Sequence, residues 1–485
     1  MSVLRQISWA AASAITLAAS RFLFSAILAR RVSPEIFGQY AYGQWIVDVS
    51  FLVCSLGVNG AISRYVAEYE HDKPLLTSIV ERWRVLAVGL PVVTAGAALL
   101  GAKLSGADAD GVNFLLLGTW ALTAGLWAMQ TAALIGMRRF DLVFRANAIV
   151  GTTMLVGGFL VVDLEDLSNI FGLMSVACFL GTSVGILDTN RLARGSKRAL
   201  TRMQWRRIGV YALNGWVATL LSSLVWSRGE FPIIQMSLGD AAMARYAAAF
   251  AIFGAAVQGI MLGISGVAPH LTSLWGLGRK EEAIGLARRV MDLQLILAAL
   301  GTLFMIFFGG QLIQVAFTSK YLDSADLLLI LCLGLPGFAV SSQSFLLQLE
   351  TDARFNRNVI FVGLVLLYAL AFSLIPTYGL FGAAIARVSA MTSIGLITLF
   401  YAVRYWGGAV ASIRNFFSVV FVLLIAVVLS SAVSRDLVLL RGFMMVFGMI
   451  ASLVLIRDSA GHMSILELYD QLQKRFGSRR DRSNL

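Results

Sequence analysis

The sequence predicts an all-α polytopic membrane protein: two six-helix bundles related by a parallel pseudo-two-fold repeat, then two further helices. About fourteen transmembrane helices result, at about 20 apolar residues per crossing. Three observations predict this. Hydrophobic residues make up 58% of the chain and charged residues 14%, against about 45–50% and about 25% in soluble domains. Too few charged side chains exist to cover a soluble surface, and mean hydropathy is +0.79. Apolar runs of crossing length recur along the whole chain, and the chain resembles itself at offsets of 206, 215 and 210 residues.

The runs fall at 7–29, 36–58, 85–105, 112–136, 146–162, 167–187, 208–229, 242–268, 291–317, 325–348, 358–376, 380–402, 415–434 and 437–456. The runs 112–136 and 415–434 carry no charge. The first has Arg5 before it, like a signal peptide, but Arg21 interrupts its apolar core and no clear cleavage site follows. It is read as a retained span. Asp48 lies in the second, Arg228 and Glu230 close the seventh, and Arg441 interrupts the last.

Lysines and arginines stay on the cytoplasmic side. With the N-terminus inside, the inner segments hold 29 of the 39 basic residues and the outer segments eight, with Arg21 and Arg387 at membrane depth. This asymmetry predicts an even number of spans with both termini cytoplasmic. It also explains the net charge of +12 without nucleic acid. The outer loops are short. The tail 457–485 is basic, and Ile465, Leu468, Leu472 and Phe476 have helical spacing. It reads equally as an amphipathic surface helix or a partly disordered tail.

Several chemistries are excluded. Cys54, Cys178 and Cys332 sit in apolar stretches without CxxC spacing, and His71, His270 and His462 are far apart. No metal and no cofactor is expected. The chain has no GxxxxGK[ST] phosphate loop.

The repeat rests on three loose matches in one order. Phe37-Gly38-Gln39-Tyr40-Ala41 corresponds to Met243-Ala244-Arg245-Tyr246-Ala247, Arg139-Phe140-Asp141 to Arg354-Phe355-Asn356, and Asn169-Ile170-Phe171-Gly172 to Gly379-Leu380-Phe381-Gly382. Six spans per copy keep both copies in one orientation. The expected division is 1–200 and 201–405 for the bundles, 406–456 for the added helices and 457–485 for the tail. Two related bundles enclose a cavity, and rocking one on the other gives alternating access. A transporter, not an enzyme, is expected.

Residues Leu28 to Ala41, LARRVSPEIFGQYA, resemble the opening signature of polysaccharide-repeat flippases. These form the Wzx-type, or polysaccharide transport, branch of the multidrug/oligosaccharidyl-lipid/polysaccharide exporter superfamily, whose multidrug members define the MATE-like architecture. Asn59 to Tyr69, NGAISRYVAEY, is similar to the stretch after span two in that family, and Leu238 to Ala247 fits as the second copy, with Ala244 in place of Gly38. The resemblance implies transfer of polyprenyl-pyrophosphate-linked oligosaccharide repeats, of O-antigen or exopolysaccharide type, from the inner to the outer leaflet of the bacterial cytoplasmic membrane. Membrane lipids and a complex with a polysaccharide polymerase or ligase are the other expected partnerships. The multidrug branch, which expels organic cations by cation antiport, is the alternative. A membrane-embedded glycosyl polymerase would need a large outer loop, which this chain lacks.

An ionisable residue inside a span is a functional candidate. Arg21, Arg228, Arg387 and Arg64 are read as substrate-binding. Guanidinium groups grip phosphate oxygens bidentately and remain charged when desolvated. Asp48, with Gln44 four residues earlier on the same face, and Glu230 are the coupling-ion candidates. The plainer alternative pairs Arg21 with Asp48 and Arg228 with Glu230. The glycines Gly101, Gly118, Gly125, Gly157 and Gly158 are read as helix-packing points. The prolines Pro91, Pro232, Pro336 and Pro376 are read as kinks or breaks.

Overall fold

The computed structural model describes residues 3–457 apart from 70–71, 105–110, 161–165, 193–197, 266, 351–353, 408–412 and 433–437. Every element among them is helical. The tail 458–485, with its amphipathic pattern, lies outside the described residues.

The first half contains α1 (Val3–Arg31), α2 (Pro34–Cys54), α3 (Val58–Glu68), α4 (Lys73–Leu104), α5 (Gly111–Gly136), α6 (Phe140–Leu160), α7 (Leu167–Ser183) and the short α8 (Ile186–Leu192). The second half contains α9 (Arg202–Trp226), α10 (Phe231–Leu238), α11 (Asp240–Ser265), α12 (Ala268–Gly276), α13 (Lys280–Phe317), α14 (Ser324–Cys332), α15 (Leu335–Ser341), α16 (Ser344–Glu350) and α17 (Arg354–Trp406). Then follow α18 (Ile413–Ala432) and α19 (Val438–Arg457).

Local chemistry sets the boundaries. Ser33 caps α2 by accepting from the Ile36 amide, and Pro34 occupies the first turn, where no N–H is missed. Thr201 and Gln204 form a reciprocal capping box at the start of α9. Asp166 caps α7 by accepting from the Ser168 amide at 2.9 Å, and the Ser168 hydroxyl and amide together hold its carboxyl below the usual range.

Among the described residues ten helices are long and apolar enough to cross a membrane, or eleven if the α2–α3 pair is one span. Three features link this to the fourteen predicted runs. Span two bends by 56° between Cys54 and Val58, where Gly57 takes φ +71. Helix α17 is two helices meeting at Gly379 (φ 59, ψ −136), as the runs 358–376 and 380–402 imply. Helix α7 and the stretch Leu439–Val454 of α19 are apolar but shorter. Span ten is broken more than expected: Pro336 starts α15, so α14, α15 and α16 are separate short helices.

Within the first half, α1 packs on α6, while α5 packs on α3, α4 and α7. In the second, α17 packs on α9, α14 and α15, and α13 packs on α11 and α14. Helices α18 and α19 pack on each other and on α13. Small residues allow close approach. A Cβ on Gly151 would lie 2.2 Å from Ser20 Oγ, and one on Gly157 would lie 2.1 Å from Leu173. The expected packing roles of Gly118 and Gly125 hold against Leu99 and Pro91, each at 3.0 Å.

The halves meet mainly along α2 and α11, where the two copies of the repeated motif touch. Gln39 Nε2 donates to Asp240 Oδ2 at 2.9 Å, and Gln235 Nε2 donates to Asp240 Oδ1 at 2.6 Å. Phe37 packs edge-on to Tyr321 at 5.8 Å. At the other end of the helices α3 meets α9. Arg207 pairs with Glu68 at 3.0 Å, and Trp216 Nε1 donates to the Leu52 carbonyl at 2.8 Å.

Candidate functional site

Helix α9 ends at Trp226 and α10 begins at Phe231, with Pro232 in its first turn. The residues between leave the helical path, so two charged side chains only two positions apart diverge. Arg228 turns toward the first half: its Nη1 donates to Gln44 Oε1 of α2 at 2.9 Å. Its guanidinium also lies 5.3 Å from the Phe231 ring and 5.7 Å from the Phe250 ring. Glu230 turns into the second half and is 0% exposed.

The partner of Glu230 is Arg387. Arg387 Nε donates to Glu230 Oε1 at 2.6 Å, Nη2 donates to Oε2, and Nη1 donates to the Val225 carbonyl at 2.9 Å. Tyr246 Oη also donates to Glu230 Oε1, at 2.6 Å. Arg387 is 1% exposed. Removing either charge would strand the other in a dry interior, at a cost of about 3–5 kcal/mol.

This geometry corrects two sequence expectations. Glu230 does not pair with Arg228, because the α9–α10 break aims them apart. Arg387 does not face an open cavity, because its guanidinium is spent on Glu230 and Val225. Glu230 likewise has both oxygens engaged, so a coupling ion there would have to displace Arg387 or Tyr246.

Arg228, Arg21 and Asp48 do come together. The charges of Asp48, Arg21 and Glu230 all bear on the Arg228 guanidinium, and the neutral Tyr40 lies beside it. Those of Arg21 and Asp48 bear on Cys178 of α7. Asp48 is exposed although mid-span, and Arg21 and Arg228 are partly exposed. Among the described residues Arg21 forms no ion pair within 4.0 Å, so the alternative Arg21–Asp48 pair is not made. Tyr40 stacks on Trp120 at 6.1 Å behind this group and is 2% exposed. The result is a partly open patch with two guanidinium groups and one carboxylate, on α1, on α2 and just after α9.

Arg64 stands apart from this group. Its guanidinium lies 4.3 Å from the Tyr211 ring of α9 and 3.6 Å from Glu68. It belongs to the α3–α9 contact.

Tyr246 and Phe250 were not sequence candidates for this site. Tyr246 was legible only as a repeat residue. No group of three or more His, Cys, Asp or Glu side chains suited to a metal occurs among the described residues.

A profile of the family described as "polysaccharide biosynthesis protein" matches residues 3–275. The chain belongs to the polysaccharide biosynthesis protein family. Solved structures place this family member in a known fold. A lipid II flippase MurJ in an inward closed conformation superposes with TM-score 0.71 at 15% identity, covering 93% of this chain and 99% of MurJ. An inward-facing multidrug resistance MATE transporter of the MOP superfamily gives 0.64 at 14%, covering 84% and 96%. A MOP superfamily transporter from Pyrococcus furiosus, described as having a binding pocket of reverse polarity, gives 0.57 at 15%, covering 84% and 97%. These likenesses establish for this polysaccharide biosynthesis protein the multi-pass helical fold that those proteins share. No curated protein matches the sequence.

Proposed function

We propose that the protein is a lipid-linked oligosaccharide flippase. It moves polyprenyl-pyrophosphate-linked polysaccharide repeats from the inner to the outer leaflet of the bacterial cytoplasmic membrane, with both termini in the cytoplasm. The halves 1–200 and 201–405 alternate access around the patch between them. The observation that carries this reading is the Arg21–Arg228 pair: one guanidinium inside span one and one just past the end of α9, both partly exposed and, among the described residues, without an ion pair within 4.0 Å. A pyrophosphate supplies the charge they lack, through paired N–H···O bonds. Family membership supports a role in polysaccharide synthesis.

Arg64 receives the head group where α3 meets α9. Asp48, the exposed carboxylate beside both arginines, is the coupling-ion candidate. A polysaccharide polymerase or ligase takes the product on the outer side.

Asp48 is also the observation that favours the second reading, export of a small organic cation. A leaflet assay separates the two. Undecaprenyl-pyrophosphate-linked repeats are counted on each side of the membrane in wild type, deletion and Arg21→Ala strains. Build-up on the inner leaflet in both mutants is expected. Normal export in the deletion strain, with altered resistance to cationic dyes, would overturn the flippase reading.

A further inference from the structure

One guanidinium ties both ends of the α9–α10 break. Arg387 Nη1 holds the Val225 carbonyl in the last turn of α9. Its Nε and Nη2 hold the carboxylate of Glu230, the residue just before α10. Arg228 lies between these tether points. Tyr246, on α11, adds a third tether to Glu230. Four residues further along α11, the Phe250 ring lies between the two guanidinium groups, 5.1 Å from Arg387 and 5.7 Å from Arg228.

We propose that Arg387, Glu230 and Tyr246 are positioning residues for Arg228: they splint the α9–α10 break so that Arg228 reaches α2 and the substrate patch, and they do not touch substrate. The functional part of this inference rests on Arg228 being a pyrophosphate ligand. The chemistry fits a splint. Both Glu230 oxygens are occupied, all three Arg387 nitrogens donate, and the group is dry. A planar fork is required, because three acceptors on two chain segments must be met at once. A lysine ammonium cannot span them from one point. The group also separates two tasks that the sequence merges. Arg387 carries a membrane-depth positive charge whose work is local geometry, and Arg228 carries the one that faces the other half.

The test reads geometry and transport separately, in the full chain in membranes. The geometric arm uses a background with Cys54, Cys178 and Cys332 changed to Ala. Gln44→Cys and Arg228→Cys are joined by a short bifunctional thiol reagent, with no substrate present. Adding Arg387→Gln or Arg387→Lys is expected to slow cross-linking, by up to about a hundredfold for a displacement of the break of about 1 Å. Adding Glu230→Gln to Arg387→Gln strands no charge and is expected to recover part of that rate. It also serves where the single variant does not accumulate, and Tyr246→Phe is the mildest probe. Unchanged cross-linking in all these variants overturns the proposal.

In the transport arm, with Arg228 and the native cysteines present, Arg387→Gln lowers flipping, but adds no further loss in an Arg228→Ala chain. An equal further loss would make Arg387 a ligand in its own right and overturn the proposal. Slowed cross-linking with normal flipping by Arg387→Gln would leave the splint in place and refute Arg228 as a ligand.

Discussion

Gly38 and Asp240 pack backbone to backbone: a Cβ on Gly38 would lie 2.0 Å from the Asp240 carbonyl oxygen. The two residues belong to the two copies of the repeated motif, so the internal repeat is also the contact that brings the halves together. Gln39, next in the chain, bonds the side chain of the same aspartate.

Substitution at Gly38 should therefore act on the contact between the halves. Gly38→Leu is expected to destabilise this conformation by about 1–3 kcal/mol through overpacking, and Gly38→Ala by less. Unfolding of the purified protein in detergent measures this. An unchanged transition for Gly38→Leu would contradict the contact.

Arg21 is expected to be needed for its charge. Arg21→Ala should abolish flipping, while Arg21→Lys, which keeps a cation but loses the bidentate fork, should retain part of it. The loss expected for a charged hydrogen bond is about 1.5–3 kcal/mol. Flipping by quantified, well-expressed Arg21→Ala protein decides it. A normal rate would remove Arg21 from the substrate path.

Asp48 bears on Arg228 and is expected to tune the patch. Asp48→Asn removes a negative charge from an anion site, so binding of a soluble pyrophosphate head group should tighten, by about threefold or more at surface-like screening. Turnover should fall and lose its dependence on a cation gradient. Titration of purified protein with the head group, and flux into vesicles with and without a cation gradient, provide the readings. Weaker head-group binding by Asp48→Asn would refute this role.

Asn415 anchors the added helices. Its Nδ2 donates to Asp292 Oδ1 of α13 at 3.0 Å, both residues are buried, and Asp292 Oδ2 has no hydrogen-bond partner among the described residues. Asn415→Ala takes the donor from a buried carboxyl and should cost about 1–3 kcal/mol. Loss of thermal stability without loss of head-group binding is the expected pattern. A stability equal to wild type would show that the bond does not secure α18.

The legible part of the site was its set of membrane-depth charges. Arg21, Asp48, Arg228, Glu230 and Arg387 stand out because each is a costly exception in an apolar run. Their grouping was only half legible. Gln44 was visible as a neighbour of Asp48 by helical spacing, and both do face the patch. Glu230 does not meet the opposite charge nearest to it in sequence, Arg228, which the plainer alternative pairs with it. A signal was present: one acid and one base, Glu230 and Arg387, at depth in two spans of the same half. Tyr246 carried no such signal, since a tyrosine in an apolar helix is ordinary until a carboxylate is placed beside its hydroxyl.

By itself, the sequence determined what local physics decides. Hydropathy marked the apolar runs, Ser33 and Pro34 start α2, and the runs 358–376 and 380–402 meet at Gly379. Each of these depends on residues within one or two turns of each other, or on the bilayer, which acts on every segment alike. Only the tertiary structure decided which charges face one another. Arg387 meets Glu230 across 157 positions, and Arg228 meets Gln44 across 184. A break of a few residues between α9 and α10 sends two adjacent charges to opposite sides. That direction is set by which helices pack on the break, not by the residues within it.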